Sequence, residues 1–326
     1  MLFRSVSLVA ALLSATSFFA QNAFAQSGKF PERQIRLVVP FAPGGGVDAT
    51  ARIIAQQIQD KQGAQVIVEN RAGSNGTIAG SAVQQATADG YTLLYSGAPH
   101  VMARLVMSKV PYDPQTDFTP VARTGEAPLV VVVSPKVTQK TLKEIVDEVK
   151  KAPDKWTFAV PTLGSPGHLA TLLFGKLAGI TLTTLPFRGT APALNDVAGG
   201  HIPVLIDAGI VLLPAAAGGT VRAVAITTAK RSSLAPDVPT AAESGMPGLE
   251  AASWYGIWGP KGLPSDVTAK LNQMINTAIA EIVKEGRFAK LGVEGVQESP
   301  EQFAAYIAKD VNQNADLLKA ANFKPE

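Results

Sequence analysis

The sequence predicts an α/β fold in which mainly parallel sheets are flanked by helices. Three observations carry this reading. The stretch IRLVVPFAPGGGVDATARIIAQQI (Ile35 to Ile58) reads as an apolar strand, a glycine loop and an amphipathic helix. Two further short apolar runs, VIVEN ending at Asn70 and YTLLY (Tyr91 to Tyr95), alternate with helical patterns, as strands of a parallel sheet do. The same strand, small-residue loop and helix recur from Thr157 to Leu177.

The first of these units is the most informative. Ile35, Leu37, Val38 and Val39 form a run suited to a strand covered on both faces. Pro40 and Pro43 bracket a connection that continues into Gly44, Gly45 and Gly46, where the missing Cβ lets the chain turn sharply and expose N–H groups. Ala51, Ile54, Ala55 and Ile58 then recur at helical spacing, with Asp48 or Thr50 placed to cap the first turn. Exposed donors at a helix N-terminus favour an anion, a carboxylate or phosphate. A bare strand-to-helix turn would have the same local sequence. A P-loop requires Lys followed by Ser or Thr after the glycines, and Val47 and Asp48 stand there instead. The dinucleotide pattern G-x-G-x-x-A does fit Gly44 to Ala49, with Glu69 at the distance of a ribose-binding acid, so an exported dinucleotide-binding oxidoreductase is the alternative.

The chain opens with a basic start, Met1 to Arg4, an apolar run from Val6 to Ala20 and an Ala23-Phe24-Ala25 cleavage pattern, which predicts a secretory signal peptide over 1–25. About 300 residues would remain, enough for two modest domains. The formal net charge of +3, one unit of it from Arg4, is too small for a nucleic-acid surface. The absence of cysteine excludes disulfides, thiolate metal sites, a cysteine nucleophile and lipidation of the mature N-terminus. The expected location is the periplasm.

The remaining elements follow in order. Helices are expected at 77–86 and 102–107, with a loop at 113–119. Leu129 to Ser134, the most β-branched run, is expected to start a new sheet. An amphipathic helix follows at Thr141 to Lys150, then the Thr157 strand and a helix carrying Leu169, Leu172, Leu173 and Leu177. Strands are expected at 182–187, 204–207 and 221–227, with a short helix at 193–197. The Trp254 to Pro260 strand precedes a long helix at Ser265 to Lys284 and helical packing elements at Pro300 to Ala320.

Chemistry-bearing residues are few. Three histidines and no H-E-x-x-H or clustered carboxylates leave no expected metal, and no cofactor is expected. Ser165, His168 and Asp207 could be drawn as a triad, but Leu163 occupies the first glycine position of a nucleophile elbow, so Ser165 and Thr162 are read as hydrogen-bonding and capping residues. The chain is therefore not expected to be an enzyme. Arg188, between an apolar strand and Gly189, sits at a strand's carboxyl end, where α/β sheets bind ligands, and its guanidinium suits a carboxylate. A structural ion pair with Asp207 or a solvated surface position is the competing role for it.

Together these motifs resemble the periplasmic solute-binding receptors of the tripartite tricarboxylate transporters, the Bug-type family. The matching segments are VVPFAPGGGVDATAR (Val38 to Arg52), VIVENRAGSNGTIA (Val66 to Ala79), ADGYTLL (Ala88 to Leu94), GSPGHL (Gly164 to Leu169), PFRGTAPALNDVAGGHIPVLID (Pro186 to Asp207) and SWYGIWGPKGLP (Ser253 to Pro264). The resemblance implies a two-lobed flytrap fold that closes on a small carboxylate, a di- or tricarboxylate, amino acid or aromatic acid. It implies a monomer serving the membrane components of such a transporter. It also implies that Pro43, Gly45, Gly46, Val47 and Asp48 grip the ligand from one lobe and Thr162, Leu163, Gly164, Ser165 and His168 from the other, with ligand carboxylates held by backbone N–H groups and water. Phe41, Ser96, Arg188, Gly189, Thr190 and Asp207 complete the candidate ligand-binding set. Leu163 is bulkier than the small or polar residues common there in relatives, which points to an apolar or aromatic ligand body. Lobe one is expected to comprise 29–123 and 240–326, and lobe two 124–239.

Overall fold

In the computed structural model, which describes residues 30–326, the expected strand–loop–helix units form two parallel groups joined through antiparallel central strands. The leader expected at 1–25 lies outside the described residues. In the first group β1 (Ile35–Val39) lies between β2 (Val66–Asn70) and β3 (Thr92–Ser96), all parallel. In the second, β5 (Thr157–Val160) lies between β6 (Thr183–Pro186) and β7 (Val204–Ala208), again parallel. Between them run two antiparallel strands, β4 (Phe118–Val133) and β9 (Ala252–Pro260), giving the order β2-β1-β3-β9-β4-β7-β5-β6. Strand β8 (Arg222–Ile226) and the short β10 (Glu294–Gly295) also pair with β4.

Strand β4 extends the sequence reading. Pairing with the second group begins at Leu129, as expected, but on a strand that already runs from Phe118. Residues Phe118 to Pro128 pair with β9, and Leu129 to Val133 pair with β7. Register shifts at Pro120/Ala122 and Arg123/Gly125 add the bends and twist that let one strand serve both groups. Thr227, just beyond β8, stitches the switch point. Its hydroxyl donates to Ala251 O at 2.6 Å and accepts from Leu129 N at 3.2 Å, while its own N–H donates to Leu129 O at 2.9 Å.

Helices follow the strands as the periodicity requires. They are α1 (Gly46–Gln62), α2 (Thr77–Gln84), α3 (Ala98–Val106), α4 (Leu142–Lys151), α5 (Pro166–Ala178), α6 (Thr190–Ala198), α7 (Gly209–Ala217), α8 (Ser265–Lys284) and α9 (Pro300–Ala320). Helix α7 has no counterpart in the sequence reading. Two apolar clusters stand out among the described residues. One gathers Val38, Leu94, Met102, Trp254, Trp258 and Phe303, and the other Val130, Val132, Leu205, Leu212 and Ile226. No described helix is long and apolar enough to cross a membrane.

Close approach of α5 to β7 depends on Gly167, where an added Cβ would lie 2.1 Å from Ile206 O, a backbone atom that cannot swing away. Gly167→Ala should therefore destabilise the fold by about 1–3 kcal/mol in urea unfolding. At Gly218 a Cβ would meet nothing nearer than 3.4 Å and the backbone is helical, so Gly218→Ala should be neutral or slightly stabilising.

Candidate functional site

Five strands, β1, β3, β5, β6 and β7, each deliver the chain to a helix whose N-terminus borders one narrow cavity of about 40 Å³. Gly45, Gly46 and Val47 line it at the head of α1, and Gly97 and Pro99 at α3. Pro161, Thr162, Ser165 and Pro166 line it at α5, Gly189 and Thr190 at α6, and Asp207 and Ala208 ahead of α7. Phe41 and the β9 residues Ser253, Trp254 and Tyr255 complete the wall. The first N–H groups of a helix have no partner within it, and the dipole makes that end partly positive. Five such ends around one space suit an anion, although no Lys, Arg or His lines the cavity.

The glycine loop is shaped by its neighbours. Gly44 takes the left-handed conformation, φ +88°, whereas Gly45 at the N-cap is extended. Asp48, buried within the first turn of α1, accepts from Gly44 N at 3.0 Å, Arg52 Nε at 3.1 Å and Asn70 Nδ2 at 2.9 Å. Burial pulls its pKa upward, but these hydrogen bonds, led by that of Arg52, hold the carboxylate below its usual range. Asp48 thus fixes the loop from behind and does not line the cavity. Thr50 does not cap the helix; its hydroxyl donates back to Gly46 O at 2.7 Å.

The opposing loop is built around Ser165, the N-cap of α5, whose Oγ accepts from His168 N at 3.1 Å. His168 Nδ1 accepts from Gly164 N at 3.0 Å, and burial lowers the imidazole to about 4, so it is neutral at pH 7. Among the described residues no hydrogen bond joins Ser165 Oγ to a His168 ring nitrogen, or His168 to Asp207, so the triad geometry is not assembled. No group of three or more His, Asp and Glu side chains among them could hold a metal ion.

Asp207 is the single charged residue in the cavity wall. It is 5% exposed, and its Oδ2 has no hydrogen-bond partner among the described residues. Burial pushes its pKa up to about 6, an effect that the Thr190 hydroxyl and Ala208 N–H reduce. The Trp254 indole is held by Nε1–H donating to Asp310 Oδ2 at 3.2 Å and by edge contacts with Phe303 and Tyr306.

Of the residues singled out in the sequence, Phe41, Gly45, Gly46, Val47, Thr162, Ser165, Gly189, Thr190 and Asp207 meet at the cavity. Pro43, Asp48, Ser96, Leu163, Gly164 and His168 stand behind this wall. Arg188 departs from its expected place. Its side chain is exposed and borders no part of the cavity, and its carbonyl accepts from Ala42 N at 3.3 Å. Nor does the Arg188 ion pair with Asp207 form. Glu69, the acid of the dinucleotide alternative, pairs instead with Arg71 at 2.6 Å and Arg36 at 3.7 Å. Gly97, Pro99, Pro161, Pro166, Ala208 and the Ser253–Tyr255 wall line the cavity without being expected from the sequence, where the aromatic density of SWYG is the available signal.

Because the folded-state pKa of Asp207 is raised from 3.8, the folded chain holds this proton between about pH 4 and 6, where the unfolded chain has released it. Stability from this group is therefore lost as pH rises through that window and stays lost above it. Asp207→Asn should gain stability relative to the parent at pH 7.5, on the order of 2 kcal/mol, and the gain should fade towards pH 4. Thermal melts of both proteins across pH 4–8 check this; a difference independent of pH would contradict it.

Residues 50–323 match the model of the family described as the tripartite tricarboxylate transporter family receptor. The chain is 36% identical over 297 residues to Protein BugT of Bordetella pertussis, covering 90% of this chain and 91% of the relative. Among solved structures, the periplasmic binding protein BugD superposes with TM-score 0.85 at 34% identity, covering 91% of this chain and 100% of the other. R. palustris Rpa4515 with adipate superposes with TM-score 0.87 at 33% identity, with the same coverage. The two-lobed α/β fold of periplasmic binding proteins is thus the fold of this chain too. Family match, curated relative and superpositions agree: the chain belongs to the tripartite tricarboxylate transporter receptor family.

Proposed function

We propose that this receptor captures a small carboxylate between two lobes, 29–123 with 240–326 and 124–239, and presents the closed form to the membrane components of a tripartite transporter. The observation that carries the reading is the convergence of five helix N-termini on a cavity without a cationic side chain. Stripping water from a carboxylate is costly, and the N–H groups of one loop replace only part of it. Donors from α1 and α3 on one side and from α5, α6 and α7 on the other would together satisfy both oxygens. The adipate held by the similar R. palustris protein supports the ligand class.

At about 40 Å³ the cavity holds only a few waters, so a ligand of several carbons enters by separation of the walls. Binding then shifts an open–closed balance, and the closed form is what a membrane partner would read. Asp207 offers an acceptor inside the cavity, which favours ligands with a hydrogen-bond donor near the carboxylate.

The direct test is incubation with a mixed carboxylate library, removal of free compounds, denaturation and mass spectrometry of what was retained. Retention of one or a few acids is expected; retention of a nucleotide and no acid would contradict the reading. A variant series sharpens it. A Cβ at Gly46 would lie 2.8 Å from Ile210 Cγ2 and 2.9 Å from the Tyr255 hydroxyl, so Gly46→Val props the walls apart. Its affinity for the retained acid should fall at least about tenfold, some 1.4 kcal/mol. Arg188→Ala, altering an exposed side chain, should stay within about twofold by calorimetry.

A further inference from the structure

The loop leaving β2 has an unusual backbone. Gly73, Ser74, Asn75 and Gly76 all have positive φ, at +132°, +45°, +51° and +88°. Two of these four are not glycine, and asparagine tolerates the left-handed region better than most side chains do. Such a run persists where surrounding contacts over-determine it. Within the loop Gly76 N donates to Gly73 O at 2.9 Å and the Thr77 hydroxyl to Ser74 O at 2.8 Å, and Asn75 adds contacts to a distant loop. Asn75 Nδ2 donates to Leu163 O at 3.0 Å, and Asn75 Oδ1 accepts from Leu163 N at 2.8 Å and from the Thr162 hydroxyl. The amide thus pairs with both main-chain groups of Leu163, as a neighbouring strand would.

The partner loop belongs to the other half of the site. Thr162 and Ser165 line the cavity, while the Leu163 side chain is buried in the core that includes Met102, Val106 and Phe303. Gly164, at φ +72°, has its Cβ direction blocked 2.7 Å away by Met102 Cβ, so the loop fits against α3 in one conformation. Asn75 reaches it across 88 positions of sequence without bordering the cavity itself.

We propose that Asn75 is a latch and positioning residue: it seats the Thr162–Ser165 loop against the first lobe, setting both the open–closed balance and the geometry of the second half-site. This rests on the reading that a carboxylate is captured by lobe closure. Backbone pairing across the cleft stabilises the closed arrangement before any ligand arrives. A receptor whose competent form is already populated loses less of its intrinsic affinity to the conformational step. Removing the latch lowers apparent affinity without touching a ligand contact.

Asn75→Gly separates the latch from a merely structural role, because glycine keeps the left-handed backbone at no steric cost while deleting all three contacts. Three readouts are taken on the full mature chain: the urea unfolding midpoint, the ligand-free radius of gyration by small-angle scattering, and thermal shifts with a panel of adipate, succinate, malate, glutamate and benzoate. The expected result is a near-parental unfolding midpoint, a larger ligand-free radius, and about tenfold weaker binding of whichever panel acid the parent binds. Asn75→Asp, which keeps an acceptor for Leu163 N and the Thr162 hydroxyl but sets a carboxylate oxygen against Leu163 O, should open the protein to a smaller extent. An unchanged radius and unchanged affinity in Asn75→Gly would overturn the latch. Failure of the parent to bind any panel acid would count against carboxylate capture instead, and the ligand-free scattering would still decide whether Asn75 holds the lobes together.

Discussion

The direction of the parallel strands governs this molecule. In each of β1, β3, β5, β6 and β7 the carboxyl end points to the same cavity, and each strand passes directly or through a short loop into a helix. A helix N-terminus carries unpaired N–H groups and a partial positive charge whatever its side chains are. Five of them around one space are what the proposed anion site would draw on, from main chain alone. Side chains there serve mostly to hold loops: Asp48 ties Gly44, Ser165 caps α5, and neutral His168 accepts from Gly164. Each dipole contributes a few tenths to about 1 kcal/mol, so on the proposed reading several of them must be assembled to hold an anion.

That assembly requires two sheets to remain separate yet aligned, and the central strands meet the requirement. Strand β4 serves both groups without a break, changing partners from β9 to β7 between Pro128 and Leu129. Proline cannot donate to a ladder, so Pro128 is a natural place for pairing on one side to end. Thr227 ties Leu129 to Ala251 where the chain returns towards β9, so both connections between the groups are fixed at one point. Away from that point the groups also meet through packing, with Leu163 and Leu169 buried in the same core as Trp254, Phe303 and Val311.

Much of this was legible in the sequence because it rests on local patterns. The Gly44–Gly46 loop, the alternation of short apolar strands with helices, and the long α8 stripe each declare themselves within some twenty residues. Where local pattern and tertiary pairing diverge, the reading failed. The first half of β4 carries Pro120, Arg123, Glu126 and Pro128, a poor strand by composition, and is held by pairing with β9 from far along the chain. Helix α7, GIVLLPAAA, is apolar all round with Pro214 inside it, so it shows no amphipathic period. A cation at Arg188 matches a carboxylate in type, yet Arg188 follows β6, whose side chains are mostly exposed, and is itself exposed. The Trp254 wall reaches the cavity from β9, far along the chain from the loops it faces, which spacing along the sequence cannot reveal.

On the proposed reading, main-chain donors rather than cationic side chains hold the ligand's charge. The decisive measurement is a crystal structure of the protein with the carboxylate retained from a mixed library. Carboxylate oxygens should lie within hydrogen-bonding distance, directly or through one water, of N–H groups at the heads of α1 and of at least one of α5, α6 and α7, with no Lys or Arg side chain in contact. A carboxylate paired with Arg188 or another guanidinium, or bound away from the Gly45–Val47 loop, would contradict it.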